Sequence, residues 1–270
     1  MHGPSRQTLA ELRERLDAAV SESGDAAALA AELHSIADLL SNEGSLRRSL
    51  ANPARPGSDR AALLAQILDG KVSPAASSLA GKVVAGRWTR AWDVVDALEE
   101  LGQEALLASA ESAGALEEVE DELFRFARVV ERESALALAL SDPAMPKEQK
   151  TQLLTSLLDG KAKPETIALV ERTVNGRRSV PVDRALLALT EAAAARRSRK
   201  IATVTAAHEL TPEQVERLTS ALSAAYGTAM QVQVEVDPSI VGGVVVQVGD
   251  ELIDGSVARR LEEAARAVAR

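Results

Sequence analysis

The chain has no cysteine, which excludes disulfides, iron–sulfur clusters and thiolate zinc sites. Aromatic residues are 2% of its 270 residues, so any core must be built mainly from Ala, Leu and Val, the composition of helical bundles. No run of about 18 apolar residues exists, so no direct membrane insertion is expected. The opening stretch MHGPSRQTLAELRERLD has no apolar segment of the kind a secretory signal needs. Positive charge is not in excess either. A net charge of −9 argues against non-specific nucleic-acid binding, which needs a basic footprint. The 46% hydrophobic content suffices for buried cores, in one large domain or two to three small ones.

Groups that do chemistry are also missing. There is no G-x-S-x-G nucleophile elbow. His2, His34 and His208 are isolated, without partners at metal-ligand spacing, and read as surface or packing histidines. Glu99-Glu100 and Glu117-Glu118 are helix neighbours that point to different faces, so they read as solvated charge and not as an acid–base pair. Val241-Gly242-Gly243-Val244 lacks the Lys-Ser/Thr of a phosphate loop and reads as a strand bulge or bend. No catalytic residue, metal, cofactor or small-molecule substrate is expected.

What is present is a repeat. A shift of 90 residues overlays Glu43–Asp93 on Glu133–Asp183 without gaps, with 18 of 51 positions identical. Pro53 pairs with Pro143, Asp69-Gly70-Lys71 with Asp159-Gly160-Lys161, and Gly86-Arg87 with Gly176-Arg177. One structural unit is duplicated in tandem. Leu29, Leu33, Ile36 and Leu40 recur at helical spacing, matched by Val119, Leu123, Phe126 and Val130. Asn52-Pro53 and Asp142-Pro143 stop a helix, and Ser73-Pro74 starts one. Segments near 5–20, 91–111 and 181–199 fall in register. The last helix of copy one therefore runs into, or also serves as, the first of copy two, with Gly102 the expected kink if they are separate. Trp88 and Trp92 stand four apart on one expected helix face, as packing anchors or as a seat for a partner helix.

After Ala192–Lys200, whose Arg196, Arg197, Arg199 and Lys200 read as a cationic helix end or as a site for acidic groups, the pattern changes. Ile201–Thr205 reads as a strand. Thr211-Pro212-Glu213-Gln214 is a capping box. Met230, Val232, Val234 and Val236 alternate with polar residues, and Val244, Val246 and Val248 form a further strand. Gly249-Asp250 reads as a hairpin turn, and Asp254-Gly255-Ser256 as the cap of a final helix, or a contact for a partner or anion. The expected fold is mainly α with a small α+β C-terminal domain: two six-helix-type bundles sharing a helix (1–100 and 101–200), then a short β-sheet with two helices (201–270).

Within residues 235–261, EVDPSIVGGVVVQVGDELIDGSVARRL, the elements Asp237, Pro238, Gly242, Gly243, Gly249, Asp250, Asp254, Gly255 and Ser256 resemble the C-terminal signature of the F-type ATP synthase delta-subunit family, which includes the oligomycin-sensitivity-conferring protein. Residues 101–200, with Asn175-Gly176-Arg177, are similar to the N-terminal six-helix domain of that family. The first repeat departs from single-copy members and resembles the actinobacterial pattern. The resemblance implies a non-catalytic peripheral-stalk (stator) subunit of a proton-translocating ATP synthase, peripheral on the cytoplasmic face of the cell membrane. Its helical domain would bind the N-terminal helices of alpha subunits and its C-terminal domain the b-type stalk subunits, resisting rotor torque during ATP synthesis. The implied alpha-binding groove lies between the first and fifth helices, which in copy two are Leu101–Glu111 and Pro164–Val174. Leu106, Ile167, Val170, Val174 and Arg177 are the expected contacts there, and copy one is expected to brace the stalk or stiffen the linkage. Two other classes are a free helical adaptor or scaffold and an enzyme with a hidden site. The first leaves the C-terminal signature unexplained, and the second lacks convergent polar residues.

Overall fold

Helix starts and stops fall where the turn residues put them. The computed structural model describes residues 4–176, 181–198, 201–226, 230–237, 240, 242–248 and 251–254. Copy one contains α1 (Pro4–Ser23), α2 (Ala26–Asn42), α3 (Gly44–Leu50), α4 (Gly57–Leu68), α5 (Pro74–Ala85) and α6 (Ala91–Ser112). Copy two adds α7 (Leu116–Arg132), α8 (Ser134–Ser141), α9 (Lys147–Leu158), α10 (Pro164–Asn175) and α11 (Val182–Ser198). The 90-residue shift carries α2 onto α7, α4 onto α9 and α5 onto α10, end for end. Gly70 and Gly160 share a φ of +66°, the left-handed conformation that glycine adopts after a helix without a Cβ penalty.

The helix in common is α6, the sixth helix of copy one and the first of copy two. It runs unbroken through Gly102. An ideal Cβ at that position would lie 2.4 Å from His34 Nε2, so Gly102 is the notch that lets α2 lie close along α6, and not a kink. The start of α6 is set by Asp93, which accepts from Arg90 N at 3.1 Å and from Ser5 Oγ at 2.8 Å. Burial opposes the ionised form of this carboxylate, but the bonds from Ser5 and Arg90 outweigh it and hold its pKa below the usual range. Trp88 consequently stands before the helix and does not share a face with Trp92. Its Nε1 donates to Val83 O at 2.8 Å, while Arg47 stacks 3.6 Å over the Trp92 ring.

Two substitutions between the copies are compensated. Glu32 accepts from Ser73 N at 2.8 Å and from Ser73 Oγ at 2.5 Å, tying α2 to the cap of α5. In copy two Lys163 replaces Ser73 and the hydroxyl moves three residues on: Glu122 accepts from Lys163 N at 2.9 Å and from Thr166 Oγ1 at 2.5 Å. Buried Arg60 donates to the carbonyls of Leu50, Ala85 and Gly86. Buried Lys150, its counterpart, donates to Leu140 O at 2.9 Å. Around these polar pins the core is aliphatic: Leu29, Leu33, Ile36 and Leu40, and their counterparts Val119, Leu123, Phe126 and Val130, are all buried.

Contacts gather residues 1–190 into one unit and 191–270 into another, with the boundary inside α11. In the second unit β1 (Ile201–Ala206), α12 (Pro212–Tyr226), β2 (Gln231–Val236), β3 (Val244–Val248) and β4 (Glu251–Asp254) form a four-stranded sheet in the order β2-β1-β3-β4. The capping box closes as the sequence predicts: Gln214 N donates to Thr211 Oγ1 at 3.3 Å, and Thr211 N to Gln214 Oε1 at 2.8 Å. Because α12 crosses over, β1 and β2 are parallel; β3 returns antiparallel to β1 and pairs with β4 as a hairpin. The alternate residues Ala202, Val204, Val246 and Val248 face Leu222 of α12 and Met230 in a small core. The fold is thus mainly α with a small α+β C-terminal part. The final helix expected from Ser256 lies outside the described residues.

Candidate partner-binding groove

The two copies are joined by an ion cluster as well as by α6. Arg172, on α10, reaches α2 and α6 together. Its Nη1 and Nη2 donate to Asp38 Oδ2 at 2.7 Å and Oδ1 at 3.0 Å. Its Nε donates to Glu99 Oε2 at 2.7 Å, and Nη2 also meets Glu99 Oε1. A further bond of 3.3 Å runs from Nη2 to His34 O. Burial works against the charge, but the two carboxylates outweigh it and hold the guanidinium pKa above its ordinary value. The planar fork suits this double bidentate arrangement, which an ammonium could not make.

Beside this clamp a groove of ≈ 890 Å³ opens between copies. One wall is α2, with Ala27, Ala31 and Ser35 exposed along it. The other is made by α9 and α10, including Ala168 and Glu171. Leu106, on α6, lies between the two walls. A second, small cavity of ≈ 40 Å³ lies on the same seam, lined by Trp92, Asp96 and Asn175 among others. Trp92 therefore sits where the copies meet.

The residues singled out from the sequence fall in different places. Leu106 lines the groove, and Ile167 is half-buried on α10. Val170 and Val174 turn into the core of copy two, at 0% and 4% exposure. Arg177 lies outside the described residues. Of the C-terminal signature, Asp237 N donates to Ala206 O at 2.9 Å just past β2. Gly242 and Gly243 bend the chain into β3 with φ of +148° and +84°, as the strand-bend reading predicts. Asp254 ends β4. Pro238, Gly249, Asp250, Gly255 and Ser256 lie outside the described residues. So do His2, Arg199 and Lys200. His34 is buried against Gly102. Glu99 and Glu100 do diverge, but they are not merely solvated: Glu99 meets Arg172 and Glu100 meets Arg13 at 3.3 Å.

Of the clamp residues, the sequence singles out Glu99 alone, and only as solvated charge; Arg172 and Asp38 are not picked out at all. The signal for two of the three lies in the mismatches of the repeat. Arg172 stands opposite Lys82, Glu99 opposite Leu9, and Asp38 opposite Arg128. At Glu99 and Asp38 a charge appears where the other copy is apolar or oppositely charged, whereas at Arg172 both copies carry a cation and no mismatch marks it. Among the described residues, no group of three His, Asp or Glu is placed to hold a metal, and no helix is long and apolar enough to cross a membrane.

Comparison with known proteins bears on what such a groove is for. The family model described as ATP synthase delta (OSCP) subunit matches residues 103–268, which is copy two and the C-terminal unit. Curated relatives match further. ATP synthase subunit delta of Salinispora arenicola is 50% identical over 98% of both chains. The Parafrankia and Streptomyces griseus proteins of the same name are 43% and 44% identical over 100% of both chains. The first copy is therefore shared with these actinobacterial relatives. A chain of the Toxoplasma gondii mitochondrial ATP synthase hexamer is 20% identical with a TM-score of 0.34, covering 62% of this chain and 95% of its own, a likeness too loose to bear on geometry. With a family match over more than half its length and relatives aligned nearly end to end, the chain belongs to the ATP synthase delta (OSCP) subunit family.

Proposed function

We propose that this peripheral-stalk subunit is a non-catalytic connector in a proton-translocating F-type ATP synthase. The helical unit binds N-terminal helices of alpha subunits on the catalytic head. The C-terminal unit binds the b-type stalk subunits. Joined, they hold the head against rotor torque, so that rotation yields ATP. The chain is peripheral to the cytoplasmic face of the membrane and is held there by its partners. Family membership over residues 103–268 is the observation that carries this reading. The groove at Leu106, walled by α2 on one side and by α9 and α10 on the other, supports it, because a groove between helices is the usual seat for an amphipathic helix. Ile167 would contribute from the edge, while Val170 and Val174 would support the site from within.

The test is attachment. Membranes carrying the synthase are stripped of the chain, and ATP synthesis is measured before and after the purified full-length protein is added back. Restored coupling, together with recovery of alpha and b-type subunits on the tagged chain, is expected. A chain that stays free of both and leaves coupling unchanged would be an unattached adaptor.

A further inference from the structure

We infer that the seam groove is a joint site, built by α2 of copy one and α9–α10 of copy two, for one amphipathic helix of another polypeptide that brings a lysine or arginine to Glu171. The inference rests on the stator reading and adds to it the second wall of the site and the charge that selects the occupant.

The wall supplied by copy one is small-sided. Ala27, Ala31 and Ser35 are exposed at four-residue spacing along α2, one stripe facing the groove. Such residues let another helix come close. Ala168 stands on the other side and Leu106 between them, so the middle of the groove is apolar.

Charge decides the kind of helix. Arg172 is already committed to Asp38 and Glu99. Glu165 accepts from Ser109 Oγ at 3.0 Å. Glu171 is half-buried, yet no hydrogen bond or ion pair reaches its carboxylate among the described residues. Burial alone raises its pKa above the ordinary 4.5. Exposed Glu148 adds a second negative charge to the same wall, against the exposed ammonium of Lys147. The free protein thus carries a partly desolvated charge with nothing opposite it. A cation on an incoming helix would offset that cost and fix the register of docking.

Copy one shows what is missing elsewhere. Its corresponding face, on α4 and α5, is an open groove of ≈ 620 Å³ lined by Ala61, Ala65, Ser78 and Gly81. Gly81 stands where copy two has Glu171, and Ser78 where it has Ala168. That face is lined from the α4–α5 segment alone, with no wall like α2 among its lining residues. The duplication therefore builds one complete site and leaves the second incomplete.

Calorimetry with full-length protein tests this, using a peptide of the alpha subunit N-terminal helix from the same organism. Glu171→Lys is expected to weaken binding by about tenfold or more, and Glu171→Gln by less. A single Lys/Arg→Glu exchange in the peptide should restore affinity for the Glu171→Lys protein only. Ala31→Trp, in copy one, should block the groove and abolish binding, while Ser78→Trp, on the open face, should leave it unchanged. All these positions are exposed or half-exposed, and melting curves check that each variant folds. Unchanged binding by Glu171→Lys or by Ala31→Trp overturns the inference, as does a loss in Ser78→Trp equal to that in Ala31→Trp. If the peptide does not bind, the same variants are read on the assembled catalytic head. Normal attachment of Glu171→Lys there overturns the inference and leaves the stator reading standing. If wild-type protein attaches to neither peptide nor head, both fall.

Discussion

Copy one and copy two have the same helices in the same order, yet they solve the same local problems with different residues. At the interior cation, copy one uses the fork of Arg60 to satisfy three carbonyls, while copy two uses the single point of Lys150 to satisfy one. At the α2–α5 tie, a hydroxyl on the cap residue gives way to a hydroxyl one turn later, and the glutamate that receives it stays fixed. The duplicated plan is held by backbone needs: a carbonyl to be met, an N–H to be capped. Which side chain meets them is free to drift. Surfaces have drifted furthest. His34 lies buried against α6, whereas its counterpart Phe124 is 49% exposed.

The sharpest way to break this equivalence is at the interior cations. Arg60→Met should cost about 3 kcal/mol, because buried carbonyls lose their donor, and Lys150→Met roughly half as much. Urea unfolding of the two variants checks the ratio, and equal losses would mean that the carbonyls near Gly86 are satisfied without Arg60. Next comes the clamp. Arg172→Ala should cost about 2 kcal/mol, since the largely buried carboxylate of Glu99 loses its cation, while half-exposed Asp38 is left to water. Lys82→Ala, at the matching exposed position, should fall within about 0.5 kcal/mol of wild type.

Smaller again is the notch. Gly102→Ala gains helix propensity but drives a Cβ into the His34 ring, for a net loss of about 1 kcal/mol. Gly102→Ala combined with His34→Ala should recover most of it. The smallest effect concerns Glu171. Its folded pKa is raised, so the native state binds a proton more readily than the unfolded chain does, and native stability falls as pH rises past the ordinary 4.5. Glu171→Gln should therefore melt slightly higher than wild type at neutral pH. That advantage should vanish as pH drops below the ordinary carboxylate value. A lower melting temperature at neutral pH would show that the carboxylate has a favourable partner in the free chain.

Much of the helical plan was legible because it is written locally. Asn52-Pro53, Ser73-Pro74, Gly70 and the Thr211–Gln214 box each act within a turn of the chain, and each does so in the structure. The alternating valines gave the strands for the same reason. The start of α6 was misread because Asp93 draws on Ser5, 88 residues away, to fix its cap, and that moves Trp88 off the helix. The clamp was harder still. Arg172 joins Asp38 across 134 residues and Glu99 across 73, separations with no period to reveal them. For the groove, the family resemblance pointed to Leu106 and to the α10 segment, which do line it, but not to α2, which supplies the opposite wall.

The shared helix has a consequence for how such a chain can grow. Each bundle holds six helices, but the unit repeated in the sequence spans five, because α6 counts twice. What is inherited is thus not a domain. An inserted copy brings five helices and borrows its sixth from whatever follows, so it arrives already spliced to its neighbour, with no linker that could later loosen into a hinge. By the same rule neither bundle can be excised whole: any cut that leaves one of them complete takes a helix from the other.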